Sequence, residues 1–354
     1  RSSDFIANVR GEYEKIRSDF SERVRSLVPF KSACKNRLEI DCSAFPPQAP
    51  RKPGVHVFDP YPLDILVDYI DWTPFFRAWE IKGRYPEVLE DKTLGKAART
   101  LFEDATSLLD RIVSDDVLTA RAVAGLFPAA SRGDDIVFFN DPERSASLAV
   151  VSHLRQQMKR KGSRPNLSLT DFIVDEGLGI PDWGGAFAVT AGIGLDEFCA
   201  SFEAEQDDYQ SLLAKSLADR LAEALAEHLH EVVRKDLWGY AHEEECSNEE
   251  RLREAYVGIR PAPGYPACPD HSQKEILFEL LDVRSNTAIE LTESFAMMPA
   301  ASVSGWYFAH PEAHYFGVGK IGRDQVEDYT RRRGVESSEA ERLLSPNLSY
   351  DPKE

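Results

Sequence analysis

The chain has 354 residues, of which 42% are hydrophobic and 29% are charged, a balance typical of a globular protein with a sizeable core. Its formal net charge of −18 disfavours binding to nucleic acid phosphates, and no apolar run approaches the ~20 residues of a membrane-spanning helix. The cysteines are scattered and odd in number: Cys34, Cys42, Cys199, Cys246 and Cys268. This usage predicts reduced thiols in a cytoplasmic protein.

The first 54 residues are predicted to form an arm that precedes the main domain. Apolar side chains recur every three or four positions over residues 5–27, which predicts a helix. Four prolines then fall within residues 46–54, so this stretch is expected to be stiff and extended. We therefore interpret residues 1–54 as a helical linker and proline-rich arm from a preceding domain of a longer protein. Residues 55–354 are expected to form one folded domain.

Helices and strands follow one another in this domain without a regular alternation. Helices are predicted at residues 61–70, 93–115, 207–240 and 324–334. Strands are predicted at residues 122–129, 136–139, 185–193, 303–308 and 315–321, the last two as a pair. Because a steady βαβ order is absent, the predicted fold class is α+β with a largely antiparallel sheet and long flanking helices.

Two short patterns suggest cofactor chemistry that their surroundings do not support. Residues 317–322 read Gly-Val-Gly-Lys-Ile-Gly, but a dinucleotide site also needs a further parallel strand with an acidic residue ~20 positions later. The glycines are better explained as relieving crowding in a strand and turn. His228, His230 and Glu231 suggest a zinc helix, but the HExxH pattern would require histidine where Arg234 stands. No metal site is predicted.

The most unusual segment is the loop at residues 258–271, which contains four prolines and two glycines. The prolines restrict the loop before any ligand arrives, and Arg260 offers a planar fork suited to a carboxylate. Tyr265 follows a glycine and can project its ring from the loop. Residue chemistry alone leaves two interpretations equally open. The loop is either a rigid structural crossover with a surface arginine or a preorganised binding loop.

The run Arg-Pro-Ala-Pro-Gly-Tyr-Pro-Ala-Cys-Pro-Asp-His at residues 260–271 resembles the signature of the activation domain of cobalamin-dependent methionine synthases. Further blocks that resemble this family occur in family order at residues 69–76, 91–93, 219–224, 291–294, 304–308 and 314–320. The resemblance implies a curved α+β domain that binds S-adenosylmethionine in a shallow groove.

The resemblance also implies site residues. It implies contacts with S-adenosylmethionine at Asp71, Arg260, Ala262, Tyr315 and Phe316. It implies Glu223 and Glu254 near the sulfonium and Tyr265, the candidate catalytic residue, at a mouth facing the cobalamin. By charge, Arg260 suits the carboxylate of the ligand and Asp71 its ammonium group.

The implied activity is that of a methyltransferase within methionine biosynthesis from homocysteine. A flavodoxin or related flavoprotein reductase would supply electrons so that cob(II)alamin, carried by a neighbouring domain, is remethylated by S-adenosylmethionine to methylcobalamin. The chain has no DxHxxG run for a cobalamin ligand and no cysteine cluster for the zinc of a homocysteine domain, so alone it should not make methionine. The alternative is a free-standing S-adenosylmethionine-binding reactivation factor, and a dehydrogenase based on residues 317–322 is much weaker.

Overall fold

A computed structural model describes residues 27–352, so nearly all of the helix predicted at residues 5–27 lies outside the described part. The strands are β1 Gly54–Tyr61, β2 Thr119–Arg132, β3 Asp135–Phe139, β4 Ser147–Ser152, β5 Asp182–Ile193, β6 Glu290–Leu291, β7 Met297–Met298 and β8 Ser302–Tyr307. Six of them form one antiparallel sheet. Five follow one another in the order β4-β3-β2-β5-β8, and the sixth, β1, pairs with β2. Strands β6 and β7 form a separate pair. β1 pairs with residues 120–126 of β2, beyond the part that pairs with β3.

The helices are α1 Phe30–Lys35, α2 Leu63–Leu66, α3 Trp72–Ala78, α4 Gly95–Ser114, α5 Leu195–Ala204, α6 Asp208–Val232, α7 Asn248–Arg251, α8 Gln273–Leu281, α9 Val283–Thr287, α10 Arg323–Arg333 and α11 Ser337–Leu343. A π-helical turn, Val233–Leu237, continues α6. Within residues 27–352, none of the helices combines the length and apolarity needed to cross a membrane. The predicted α+β class with a largely antiparallel sheet is confirmed.

Helices cover both faces of the sheet. Side chains along a strand alternate between the two faces, so each central strand contributes to two cores. In β2, Ala122, Ala124 and Leu126 join the core shared with α2, α3, α4 and α6. Val123 and Phe127 of the same strand join the opposite core with α8 and α9. The nearly continuous burial of β2 and β5 follows from this two-sided covering.

Two predicted elements were wrong in part. Residues 315–321 form no strand beside β8. The Val318 N–H donates to the Pro266 carbonyl at 2.8 Å and the Ile321 N–H to the Asn347 carbonyl at 2.9 Å, so these donors pair with loops. The helix predicted at residues 61–70 is only α2 and a following 3-10 turn, since Pro62 separates α2 from β1.

Residues 27–53 lie against the domain. The Val28 N–H donates to the Gln157 carbonyl at 2.9 Å. Further along, the indole N–H of Trp238 donates to the Gln48 carbonyl at 2.7 Å. The Arg51 N–H donates to the Trp238 carbonyl at 3.1 Å, so the proline-rich stretch is fastened to the end of the π-helical turn.

Candidate functional site

A cavity of about 980 Å³ opens between the start of α3, one face of α6 and the segment around α7. It is lined by residues 67–72, 84–87, 248–249 and 251–254, and by Pro74, Arg220, Glu223, Ala224, Glu227 and Arg260. Four of the predicted site residues meet in this lining: Asp71, Glu223, Glu254 and Arg260. They come from three separate parts of the sequence, because only Glu254 and Arg260 are close in the chain, so the fold is what assembles them.

Asp71 occupies the cavity wall as the N-cap of α3. Its carboxylate accepts a hydrogen bond from the Thr73 N–H at 2.9 Å, which satisfies one free donor of the first helical turn. The capping role and the position in the cavity therefore coexist. The cap fixes the carboxylate at the wall and leaves acceptor capacity for a second partner.

Helix α6 supplies two further carboxylates. The helix begins after its N-cap, Asp207, which accepts a hydrogen bond from the Gln210 N–H at 3.1 Å, and its leucines Leu217, Leu221 and Leu225 are buried. The two carboxylates at the cavity are those of Glu223 and Glu227. Glu223 and Glu227 are four residues apart and therefore lie on one face, one turn above the other. That face lines the cavity.

Arg260 is held at both its backbone and its side chain. Its N–H donates to the Tyr315 hydroxyl at 3.0 Å, and its Nη1 donates to the Tyr256 hydroxyl at 2.7 Å. Its Nη2 lies 2.7 Å from Glu227 Oε2 in an ion pair whose two side chains are each 15% exposed. Burial alone would lower the pKa of Arg260, but Glu227, Tyr256 and Tyr315 together outweigh it and raise that pKa, so the guanidinium stays cationic.

Glu254 sits at the cavity in a left-handed backbone conformation, with φ of 53°. A side chain at this φ is strained, and glycine is the usual residue there. Burial raises the pKa of Glu254, and the positive charge of Arg260 partly opposes that rise. Because Glu254 combines this strain with a place in the cavity lining, we expect it to serve ligand binding rather than folding.

The loop at residues 258–271 is anchored to the sheet at one end and turns back on itself at the other. The Trp306 N–H of β8 donates to the Pro261 carbonyl at 2.9 Å. The Tyr265 N–H donates to the Ala262 carbonyl at 3.1 Å and the Gly264 N–H to the Cys268 carbonyl at 2.7 Å. Gly264 has φ of +98°, and a Cβ there would collide with the His271 ring, so this turn requires glycine.

The remaining predicted residues lie outside the cavity lining. Tyr265 is 58% exposed, and the charge of Glu223 adds to the rise in its pKa that partial burial causes. Tyr315 lies behind Arg260 and bonds its backbone. Phe316 packs edge-on against Phe172 at 6.3 Å between ring centroids, and Ala262 uses its carbonyl in the turn.

Sequence reasoning missed Glu227 and Arg251 of the lining, and Tyr256, which bonds Arg260 from outside the lining. The position of Glu227 one turn after Glu223 could have indicated it, because both share a helix face. No sequence pattern indicated the bond between Tyr256 and Arg260, because it depends on how the segment after α7 packs in the folded chain. Arg251 likewise reaches the site only through the fold, where its guanidinium lies 3.7 Å from the Tyr69 ring centroid and 3.5 Å from Glu231.

The two histidines of α6 have partners other than metal. His228 Nδ1 lies 2.8 Å from the Tyr61 hydroxyl, and His230 stacks on Tyr307 with ring centroids 5.1 Å apart. Burial lowers the pKa of His230 well below its usual value, so it stays neutral. Within residues 27–352 there is no group of three or more metal-ligating side chains.

The cavity lining carries many charged side chains of both signs. Its carboxylates outnumber its guanidinium groups by seven to five: Asp68, Asp71, Glu87, Glu223, Glu227, Glu249 and Glu254 against Arg84, Arg220, Arg251, Arg253 and Arg260. Such a surface suits a ligand that carries both charges and an excess of positive charge. An amino acid with an added cationic centre has this distribution.

The fold is that of a known class. A family model described as the activation domain of vitamin B12 dependent methionine synthase matches residues 62–334, and the chain belongs to this family. A crystal structure of the MetH reactivation domain bound to AdoHcy is similar to this chain, with 50% sequence identity and a TM-score of 0.89. The similarity covers 92% of this chain and 99% of that one.

Proposed function

We propose that this chain binds S-adenosylmethionine in the cavity beside Arg260 and presents its methyl group for the reductive remethylation of cob(II)alamin. The observation that carries the proposal is the assembly of Asp71, Glu223, Glu254 and Arg260 around one cavity. The AdoHcy in the related reactivation domain supports it, because AdoHcy is the product that remains after S-adenosylmethionine loses its methyl group.

The charged groups of the cavity fit those of S-adenosylmethionine. The ligand has a carboxylate for Arg260, an ammonium group for Asp71, and a sulfonium for Glu223 and Glu254. The excess of carboxylates favours the cationic ligand over its neutral thioether product, which would promote product release. The carbon–sulfur bond breaks with its electron pair left on sulfur, so none of these residues has to donate or accept a proton.

The methyl acceptor has to come from outside this chain. Cobalamin, carried by a cobalamin-binding domain, supplies the nucleophile once a flavodoxin or related flavoprotein reductase has provided an electron. The contribution of this chain is to bind the methyl donor, to orient the sulfonium and to leave its mouth open to a large cofactor. The exposed ring of Tyr265 fits a site that is open enough to admit such a cofactor.

In a longer protein this domain would support a cytoplasmic methyltransferase that makes methionine from homocysteine, with zinc held in a separate homocysteine domain. The five free cysteines fit a reducing compartment. Alternatively, the domain is free-standing and reactivates a separate cobalamin protein. Both arrangements require the same binding site here. They differ in whether the cobalamin-binding domain is covalently attached.

Calorimetry of the isolated chain tests the binding step. S-adenosylmethionine and S-adenosylhomocysteine should both bind with one site per chain. NADP should not bind, because residues 317–322 form a loop in which the Val318 and Ile321 N–H groups already donate to protein carbonyls. NADP binding as tight as that of S-adenosylmethionine would instead support the dehydrogenase alternative.

A further inference from the structure

The Arg260 guanidinium is only partly occupied by protein partners. Nη1 bonds the Tyr256 hydroxyl and Nη2 pairs with Glu227, while Tyr256 also donates to Glu227 Oε2 at 3.3 Å. Among the described residues, nothing bonds the Nε–H of Arg260. The three side chains therefore form a closed triangle that leaves the Nε–H available, together with the second N–H of each Nη atom.

We propose that Glu227 and Tyr256 are positioning residues that hold Arg260 so that its available edge meets the carboxylate of the ligand. This inference rests on the proposed binding of S-adenosylmethionine and adds two residues to that site. A free arginine side chain loses considerable rotamer entropy when it binds a carboxylate. An arginine already fixed by an ion pair and a hydrogen bond loses less, so more of the interaction appears as affinity.

The partners of this triangle are themselves fixed. The Tyr256 ring lies 3.8 Å from the Arg234 guanidinium and contacts the His230 ring edge-on at 5.3 Å. Glu227 is on α6, and its Oε1 is buried without a partner in the described structure. The arrangement couples the ligand-binding arginine to the rigid helix of the domain.

The direct test compares two ligands that differ only at the carboxylate. Glu227→Gln and Tyr256→Phe are measured by calorimetry with S-adenosylmethionine and with decarboxylated S-adenosylmethionine, which retains the sulfonium and the nucleoside. We expect each variant to weaken S-adenosylmethionine binding about tenfold, the scale of one charge-assisted contact. Binding of the decarboxylated ligand should change by less than about threefold, since Arg260 has no carboxylate to meet.

A matched ion pair elsewhere provides the control. Asp135 and Arg332 lie 2.6 Å apart with side chains 14% and 12% exposed, close to the values for Glu227 and Arg260. Asp135→Asn should lower the melting temperature as Glu227→Gln does and leave both affinities unchanged. Equal losses for the two ligands in Glu227→Gln, or no loss for either, would overturn the inference while the binding site stands. A wild-type chain that binds neither ligand would overturn the proposed function itself.

Discussion

Two arginines of this domain each pair with carboxylates in the folded interior, and they differ in what is left over. Arg155 is 1% exposed, and all three of its side-chain nitrogens are bonded, to Asp134, Asp171, Thr170 and the Asn166 carbonyl. Arg260 is more exposed, lines a cavity and has an Nε–H without a partner among the described residues. We therefore expect the saturated Arg155 to hold the fold together and the accessible edge of Arg260 to bind the ligand.

The largest effect should come from the saturated site. Arg155→Ala leaves the carboxylates of Asp134 and Asp171 buried without their counter-charge, which should lower the free energy of unfolding by about 3–5 kcal/mol. Denaturant melts would measure this loss. At a temperature where the variant is still folded, its affinity for S-adenosylmethionine should equal that of the wild type, and a large loss of affinity would erase the distinction between the two arginines.

The unfilled site should show the reverse pattern. Arg260→Ala should weaken S-adenosylmethionine binding by about 1.5–3 kcal/mol, the scale of a lost charge-assisted hydrogen bond in a partly buried site. Arg260→Lys should recover only part of this, because an ammonium group cannot form a planar fork. Calorimetry measures both variants. Wild-type affinity in Arg260→Ala would place the ligand carboxylate elsewhere.

Glu254 lines the same cavity as Arg260 and has a strained, left-handed backbone conformation. Glu254→Gly removes a side chain from a left-handed position, so the ligand-free chain should gain about 0.5–1 kcal/mol of stability. The same change should weaken S-adenosylmethionine binding several-fold, because a carboxylate leaves the cavity. Glu80 has φ of 59° and does not line the cavity, so Glu80→Gly should give the gain in stability without the loss of affinity. A destabilised Glu254→Gly chain with normal affinity would show that Glu254 serves the fold.

Tyr265 should have the smallest effect on binding. Its ring is mostly exposed outside the lining, so Tyr265→Ala in the complete cobalamin enzyme should change the dissociation constant of S-adenosylmethionine by less than about threefold. Single-turnover remethylation with a chemical reductant should nevertheless slow at least about tenfold if the ring meets the cobalamin, as we propose. Normal remethylation with poor binding would make Tyr265 an ordinary ligand contact.

The sequence predicted the long elements and the charged residues better than their connections. β2 and β5 have long apolar runs and were found, but β4 was missed because Leu148 and Val150 point outward on a short edge strand. Residues 315–321 have the composition of a strand, yet their donors bond to loops.

The site divides in the same way. Asp71, Glu223, Glu254 and Arg260 were predicted by resemblance and meet at one cavity. Glu227 and Tyr256 were not, because their importance lies in a tertiary contact with Arg260 that no spacing in the sequence encodes. The position of a carboxylate can be read from a helix period, but the partner it meets depends on the packing of distant segments.

The most direct test of the account is a crystal structure of this chain with S-adenosylmethionine. We expect electron density for the ligand in the cavity, with its carboxylate at the Nε edge of Arg260 and its sulfonium beside Glu223 and Glu254. Density for the ligand at another surface, or in the cavity with the carboxylate turned away from Arg260, would contradict it.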